Sequence, residues 1–216
     1  MKRLVPISVL LITLLLAQYT KAQQLSEQMQ TVYNTCLEIQ SAIESGSELG
    51  LRSASETLKK SDIKYFRSFK PVDKKDELSL NDHFVFDYEF IDSLVAGHKV
   101  YEYAEKYAKC CSSRQASVEK NKVQMITCAV RAESTTVYKV HARDHQEFAF
   151  VTEPGGLITV RIHDVTHEKW YSDKKNETEG ESSRVLVMEL PDESCTLYVE
   201  VINITKEDIS FVVIAN

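Results

Sequence analysis

The 216-residue sequence contains no Gly-x-Ser-x-Gly elbow, no glycine-rich phosphate loop and no dinucleotide-binding fingerprint. Each of those motifs marks a chemistry, namely a nucleophilic serine, a bound phosphate or a bound dinucleotide. Paired carboxylates for glycoside cleavage leave no local pattern, because the fold brings the two groups together. The sequence therefore names no catalytic class, and hydrolase activity is unsupported rather than excluded. We expect no cofactor.

An excess of basic residues is also missing. The chain has 26 Lys and Arg against 32 Asp and Glu, a net charge of -6. Proteins that bind nucleic acid neutralise its phosphates with clustered Lys and Arg. We therefore expect no nucleic-acid partner.

No apolar run is long enough for a membrane span. The segment from Leu4 to Ala17 is shorter than the roughly 20 residues that cross a bilayer. Lys2 and Arg3 precede this segment, and the small residues around Ala22 follow it, which is typical of a secretory signal. We predict that residues 1–22 are a signal peptide and that the mature chain has no transmembrane segment. It would work outside the cytoplasm, in the periplasm, as a secreted protein or at the cell surface.

Whether the cysteines form disulfides depends on whether the chain is exported. Cleavage after Ala22 would remove three basic residues, leaving 23 basic against 32 acidic residues and a net charge of -9. An oxidising compartment permits disulfides, but an odd count leaves at least one cysteine unpaired and the connectivity open. Most of the five are expected to be small buried hydrophobes. They are Cys36, Cys110, Cys111, Cys128 and Cys195. Cys36 lies too far from the apolar run to carry a lipid anchor.

The segment after the predicted signal has helical periodicity. Apolar residues recur at intervals of three and four from Leu25 to Ile43, which places them on one face of a helix. Gly46 suits the end of that helix, and Ser47 suits the start of a second one that carries Leu58 on its inner side. A short third helix is predicted from Ser61 or Asp62.

Residues 78–112 combine a stretch with the pattern of an extended strand and a stretch with the spacing of a helix. The stretch from Leu78 to Phe86 resembles an extended segment, whereas the apolar residues after Asp87 follow helical spacing, with Gly97 as a point where the helix can break. A β-hairpin through the same residues is the alternative.

Short alternating segments separated by turn residues fill the rest of the chain. Alternation of apolar and polar residues is typical of strands with one face in water. Eight strands at this spacing predict an antiparallel sandwich. We place them at Val123–Arg131, Thr136–Ala142, Glu147–Thr152, Leu157–Asp164, Lys169–Ser172, Arg184–Leu190, Thr196–Asn203 and Ile209–Ala215.

The last strand differs from the others, because Ile209–Ala215 is apolar on both sides and therefore requires cover on its second face. The helices are the available cover. We predict an α+β fold in which an N-terminal helical segment, residues 23–112, packs on a C-terminal antiparallel β-sandwich of about eight strands, residues 122–216, resembling a jelly roll.

Two stretches carry a family resemblance. EFAFVTEPGGLITVRIHD and LYVEVINITKEDISFVVIA resemble the jelly-roll modules of pre-peptidase C-terminal type that accompany bacterial secreted enzymes. That resemblance implies a non-catalytic accessory domain, although the aspartate-rich calcium strand of those modules is missing. The whole chain is similar to uncharacterised exported proteins of the Bacteroidetes. Neither resemblance assigns a functional residue.

Three histidines form a candidate metal site. His141 and His163 lie on the polar faces of two predicted strands, and His167 follows in a loop. Neutral imidazoles with a neighbouring carboxylate suit zinc or copper. The alternative is that all three are ordinary solvated residues on an exposed sheet face.

The chain's single tryptophan marks a candidate binding site. Trp170 and Tyr171 precede a long polar loop, and aromatic side chains beside polar groups form platforms for sugars or peptides. Arg161 and His163, on the polar face of a neighbouring predicted strand, complete this candidate site. The alternative is that Trp170 belongs to the sandwich core.

These observations favour an exported, non-catalytic binding or accessory protein that recognises a protein, peptide or glycan through the sandwich loops and the Trp170 region. One alternative is a secreted hydrolase with a site between helices and sandwich that uses His83 or His98. Another is a structural or assembly component of the cell envelope, whose partner would add a strand to an exposed sheet edge.

Overall fold

The computed structural model describes residues 25–65, 69–80, 83–97, 122–142, 144–171, 180–191 and 194–216. The predicted signal peptide, His98, and the adjacent Cys110 and Cys111 lie outside these ranges. No helix within them is long and apolar enough to span a membrane.

Among the described residues three α-helices precede the sandwich: α1 Glu27–Ser45, α2 Glu48–Lys60 and α3 Tyr88–Val95. Gly46 ends α1 in the left-handed conformation with φ of 66°, a backbone conformation that is strained for residues with a Cβ and free of that strain for glycine. The Ser47 hydroxyl accepts the N–H of Gly50 at the start of α2. Both predicted helices are thus confirmed.

Helix α3 lies in the segment for which the sequence left a helix and a β-hairpin as alternatives. The Asp87 carboxylate accepts the N–H of Glu89 and so caps the first turn, as the sequence indicates. Gly97 lies just beyond the helix with φ of 72°. The hairpin alternative is therefore wrong for Tyr88–Val95, while residues 98–112 are outside the described part of the chain.

The short third helix expected from Ser61 is wrong where the structure describes it. Lys64 and Tyr65 form a two-residue strand, β1, which pairs in parallel with the first long strand of the sandwich. A backbone that completes a sheet edge gains ladder hydrogen bonds that a single helical turn cannot supply. A 3-10 turn, Lys74–Asp76, follows.

Eight antiparallel strands form the sandwich, and none of their described ends differs from the prediction by more than two residues. They are β2 Gln124–Val130, β3 Thr135–Ala142, β4 His145–Thr152, β5 Ile158–Asp164, β6 Lys169–Tyr171, β7 Ser183–Glu189, β8 Cys195–Asn203 and β9 Ile209–Ala215.

The strands divide into two sheets with jelly-roll topology. One sheet has the order β1-β2-β9-β4-β7 and the other has the order β3-β8-β5-β6. Most consecutive strands lie in opposite sheets, which produces the interlocked Greek keys of a jelly roll. The predicted α+β fold with a helix-covered antiparallel sandwich is confirmed.

Two apolar layers hold these elements together. Between the sheets, the wholly buried rings of Tyr138, Phe148, Phe150 and Phe211 anchor the sandwich core. A second core fills the space between the helices and the outer face of the five-stranded sheet. It contains Met29, Val32, Cys36 and Ile39 of α1 and Ala149, Val151, Val212 and Ile214 of the sheet.

Strand β9 is consequently buried on both faces, as its sequence predicts. The outer face of the four-stranded sheet differs, because its side chains are mostly half-buried or exposed. This face is the broad surface on which the described part of the sandwich meets solvent.

Candidate functional site

Four side chains lie in one row across the outer face of the four-stranded sheet. Strand register pairs Lys139 of β3 with Tyr198 of β8, Tyr198 with His163 of β5, and His163 with Trp170 of β6. Directly paired residues on one face have Cβ atoms close enough for their side chains to touch. We call Lys139, Tyr198, His163 and Trp170 the aromatic row.

One end of the aromatic row is a stacked pair. The rings of His163 and Trp170 lie with centroids 4.4 Å apart and planes 7° from parallel. Trp170 is 49 % exposed, so the core alternative for this residue is wrong. The stack orders the indole without burying it, which leaves a flat apolar surface open to solvent.

An ion pair lies beside the aromatic row. Arg161 and Glu200 are directly paired across β5 and β8, and Arg161 Nε lies 3.1 Å from Glu200 Oε2. Both side chains remain partly exposed. Pairs of this kind contribute only about 0 to 1 kcal/mol of stability. Arg161 and Glu200 could therefore turn to a ligand with little loss of folding free energy.

Tyr171 is separated from the other candidate binding residues. It packs against the core between the sheets, and Lys169 Nζ lies 4.4 Å from the centroid of its ring. Successive strand residues face opposite sides, so Trp170 and Tyr171 cannot share a surface. The structure brings together Trp170, His163 and Arg161, and leaves Tyr171 on the other face.

The three candidate metal-binding histidines have different surroundings. His163 stacks on Trp170, whereas His141 Nδ1 lies 3.4 Å from Thr196 Oγ1. His167 lies in the turn after β5, within a group of potential metal ligands that also contains Asp164 and Cys195. Cys195 was missed from the sequence, because the strand pairing that brings it near His167 joins distant parts of the chain.

A second polar cluster connects the start of α1 to the sandwich. The Ser26 hydroxyl donates to Glu147 Oε2 at 2.7 Å, and His145 Nε2 lies 3.2 Å from Glu147 Oε1. The other ring nitrogen, His145 Nδ1, lies 2.7 Å from Glu189 Oε1. A serine nucleophile needs its hydroxyl at an imidazole, and here the hydroxyl is bonded to a carboxylate. The cluster therefore has a structural arrangement rather than that of a catalytic triad.

The hydrolase alternative placed a site between the helices and the sandwich. In the described part of that interface apolar side chains form a core, and polar contacts such as the one from Gln40 Nε2 to Thr152 O cross it beside that core. His83 is half-buried, and its backbone N–H donates to Leu80 O. His98 is outside the described residues.

A cleft of about 380 Å³ lined by both charged and apolar residues lies between α2 and α3. Burial opposes ionisation of Asp92 within it, but hydrogen bonds from Lys59 and Ser55 outweigh burial and lower the pKa of Asp92. Lys59 Nζ lies 2.7 Å from Asp92 Oδ2. The cleft is lined by Arg52, Glu56, Lys59, Asp92, Val95 and Ala96. Lys59 pairs with both Asp92 and Glu56, and Arg52 pairs with Glu48 on its own helix, as in a structural contact between two helices.

No protein-family model matches the chain, and no curated protein sequence matches it. The resemblances to pre-peptidase C-terminal modules and to exported proteins of the Bacteroidetes therefore gain no support.

Several solved structures are similar to part of the chain. A periplasmic inhibitor of g-type lysozyme from Salmonella Typhimurium covers 47 % of this chain and 93 % of its own, at 12 % identity and a TM-score of 0.31. The corresponding Aeromonas hydrophila inhibitor covers 47 % and 91 %, at 11 % identity and a TM-score of 0.33. RmlC from Streptococcus suis covers 45 % of each chain, at 13 % identity and a TM-score of 0.24. Likenesses of this size transfer no function, so the function of this chain has to be inferred from its own residues.

Proposed function

We propose that this chain is an exported, non-catalytic binding protein that holds a glycan on the aromatic row. The observation that carries the proposal is the half-exposed Trp170 indole, which stacks on His163 on the solvent-facing side of the four-stranded sheet, at its β6 edge. A sugar ring presents flat C–H faces that pack on an aromatic surface. Because the stack and the strand ladder already order the indole, little conformational entropy is lost on binding.

The polar neighbours of the row suit sugar hydroxyls. Lys139 at the far end and Arg161 beside the row supply hydrogen-bond donors, and Glu200 supplies an acceptor. A site that combines one apolar platform with a few polar groups fixes both the position and the orientation of a ligand.

A glycan fits this surface better than an extended peptide does. Peptides that bind a sheet usually add a strand to its edge, where main-chain hydrogen bonds provide the affinity. Tyr198 and His163 lie on the two inner strands of the four-stranded sheet, whose main-chain groups are already paired on both sides. A ligand that lies across the centre of the row would therefore contact side chains, and only Trp170 on β6 and Lys139 on β3 belong to edge strands.

The proposal includes export, because the signal peptide predicted at residues 1–22 would place the module in the periplasm or at the cell surface. The experiment is a glycan array probed with the mature chain, followed by calorimetric titration of the strongest ligand. Trp170→Ala is expected to weaken binding at least about tenfold, which corresponds to roughly 1.4 kcal/mol. Leu49→Ala, which truncates an 80 % exposed side chain on α2, serves as the matched control and should bind as wild type.

Equal binding by Trp170→Ala and the wild type would contradict the proposal. Capture of a protein or peptide without any glycan would move the function to the other ligand class. Turnover of the glycan into shorter products would identify a secreted hydrolase instead.

A further inference from the structure

Asp164 ends β5 as a wholly buried carboxylate with a defined orientation. Its Oδ1 atom accepts the backbone N–H groups of Thr166 and His167 at 2.9 and 3.2 Å. Its other oxygen, Oδ2, lies 2.8 Å from His167 Nδ1. Two main-chain donors thus hold one oxygen, and the second is directed at the imidazole.

Cys195 approaches the same imidazole from the neighbouring strand. It is the first residue of β8 and is wholly buried, and its Sγ atom lies 3.7 Å from His167 Nδ1. The sulfur, the ring nitrogen and a carboxylate oxygen of Asp164 all lie within 4.8 Å of one another. The acid and the sulfur therefore meet at a single nitrogen of the ring.

The contact of both groups with the same ring nitrogen separates a metal site from a nucleophilic triad. In a nucleophilic triad the carboxylate holds one ring nitrogen and the nucleophile contacts the other, so that a proton can pass through the imidazole. Here both contacts are to Nδ1, so that relay is not available. Donors of sulfur, nitrogen and oxygen type that converge on one point are the arrangement of a metal site.

We infer that Asp164, His167 and Cys195 bind a divalent cation of the zinc class, through carboxylate oxygen, Nδ1 and thiolate sulfur, with water as the fourth ligand. Tetrahedral zinc with ordinary bond lengths places sulfur and nitrogen about 3.6 Å apart and nitrogen and oxygen about 3.3 Å apart. The sulfur already lies at that separation from Nδ1. The carboxylate has to withdraw by about half an ångström as the cation replaces the proton shared with the ring.

The surroundings supply the other requirements of such a site. The two N–H groups on Asp164 Oδ1 act as outer partners that fix the direction of the ligating oxygen. The His167 side chain is 31 % exposed whereas Asp164 and Cys195 are wholly buried, so the imidazole is the member of the group that solvent reaches. Binding releases the Cys195 thiol proton, and a proton on Nδ1 of a neutral His167 ring has to move to Nε2, which leaves the Nδ1 lone pair for the cation.

The test uses Co²⁺ as a spectroscopic substitute for zinc in the mature, reduced chain. A cysteine thiolate on Co²⁺ gives a charge-transfer band in the near ultraviolet, and zinc should displace the cobalt and abolish the band. We expect the band at one equivalent of Co²⁺ in the wild type and its loss in Cys195→Ser. Cys36→Ala and His163→Gln, which change a cysteine and a histidine outside the group, should retain it.

His167→Gln guards against misfolding, because the His167 side chain is partly exposed and glutamine keeps an N–H donor for Asp164 Oδ2. Zinc affinity should fall by at least roughly the 10- to 100-fold seen for outer-shell partners, while the circular dichroism spectrum in chelator stays that of the folded wild type. Three results would overturn the inference: no cobalt band in the wild type, an unchanged band in Cys195→Ser, or loss of the band in His163→Gln.

Discussion

Glu147 of β4 accepts both the backbone N–H and the hydroxyl of Ser26, the residue that precedes α1. One buried carboxylate therefore attaches the start of the helical layer to the sandwich. Asn216 strengthens the attachment, since its side-chain amide donates to the Ser26 hydroxyl at 3.1 Å.

Removing the charge of Glu147 should weaken this attachment. Glu147→Gln keeps the size of the side chain but places a donor against the donors of Ser26, and we expect a loss of about 1 to 3 kcal/mol in unfolding free energy. Urea denaturation followed by circular dichroism measures it. Glu189→Gln, at an 83 % exposed side chain that contacts the same histidine, should cost less than about 1 kcal/mol. Equal losses in the two variants would show that the Ser26 contacts contribute nothing.

The same cluster predicts a pH dependence. Burial opposes the charge of His145, but its hydrogen bonds to Glu189 and Glu147 outweigh burial and raise the pKa of His145 above 6.5. The protonated ring thus favours the folded state. Its stabilisation is fully present below the unfolded pKa and is lost as pH rises through the higher folded pKa.

His145→Gln should accordingly destabilise the chain in mildly acidic buffer and have little effect at alkaline pH. Melting temperatures of wild type and variant, measured from about pH 5.5 to about pH 8.5, should converge as pH rises through the titration of the ring. A difference that stays constant across that range would argue against a charged His145 in the folded protein.

Exposure of Trp170 predicts a small stability effect of its removal. Trp170→Ala deletes the stack on His163, so we expect the unfolding free energy to fall by about 0.5 to 1.5 kcal/mol. Phe150→Ala removes a wholly buried ring from the sandwich core and should cost about 3 to 5 kcal/mol. A Trp170→Ala loss as large as that of Phe150→Ala would mean that the indole is a core residue in solution.

Substitutions of Gly46 should change the stability of the chain through backbone conformation alone. No heavy atom lies within 4 Å of a Cβ placed on Gly46, so a methyl group meets no obstacle there. The cost of Gly46→Ala is therefore the left-handed φ of 66°, about 1 kcal/mol or slightly more. Gly46→Asn should cost less, because asparagine tolerates this conformation. Chemical denaturation of Gly46→Ala and Gly46→Asn measures both losses of unfolding free energy. Equal losses in the two variants would point to packing rather than to backbone conformation.

Burial predicts the reactivity of Cys36. The side chain is inaccessible in the layer between α1 and the sheet, and burial raises the pKa of its thiol far above the usual range. Iodoacetamide at neutral pH should leave Cys36 unmodified in the folded protein and alkylate it in urea, as read by peptide mass spectrometry. Modification at similar rates in both states would mean that α1 detaches readily.

Local periodicity predicted most of the architecture. The strands were found because alternation of burial follows directly from the pleat, and β9 was recognised as doubly covered because Ile209–Ala215 has no polar face. Helix α3 was found from its cap at Asp87 and its apolar spacing. The two-residue β1 was not found, since a segment of that length has no period to detect.

The candidate sites were predicted less completely, for a physical reason. His163 and Trp170 could be placed on polar faces from alternation alone, but their stacking depends on the register of β5 against β6. The approach of Cys195 to Asp164 and His167 similarly depends on the pairing of β5 with β8. Register between strands is a property of the assembled sheet, so residues far apart in sequence give no local sign of their contact.

The contrast between β9 and β6 has a dynamic consequence. Strand β9 is hydrogen-bonded to β2 and β4 and covered on both faces, so its amides should exchange with solvent only when the whole sandwich unfolds. Strand β6 has three residues, lies at a sheet edge and pairs with β5 alone among the described strands. The indole of Trp170 is thus carried by a segment that can detach at a fraction of the global unfolding free energy. A ligand on the aromatic row would then slow amide exchange in β6 and leave exchange in β9 unchanged.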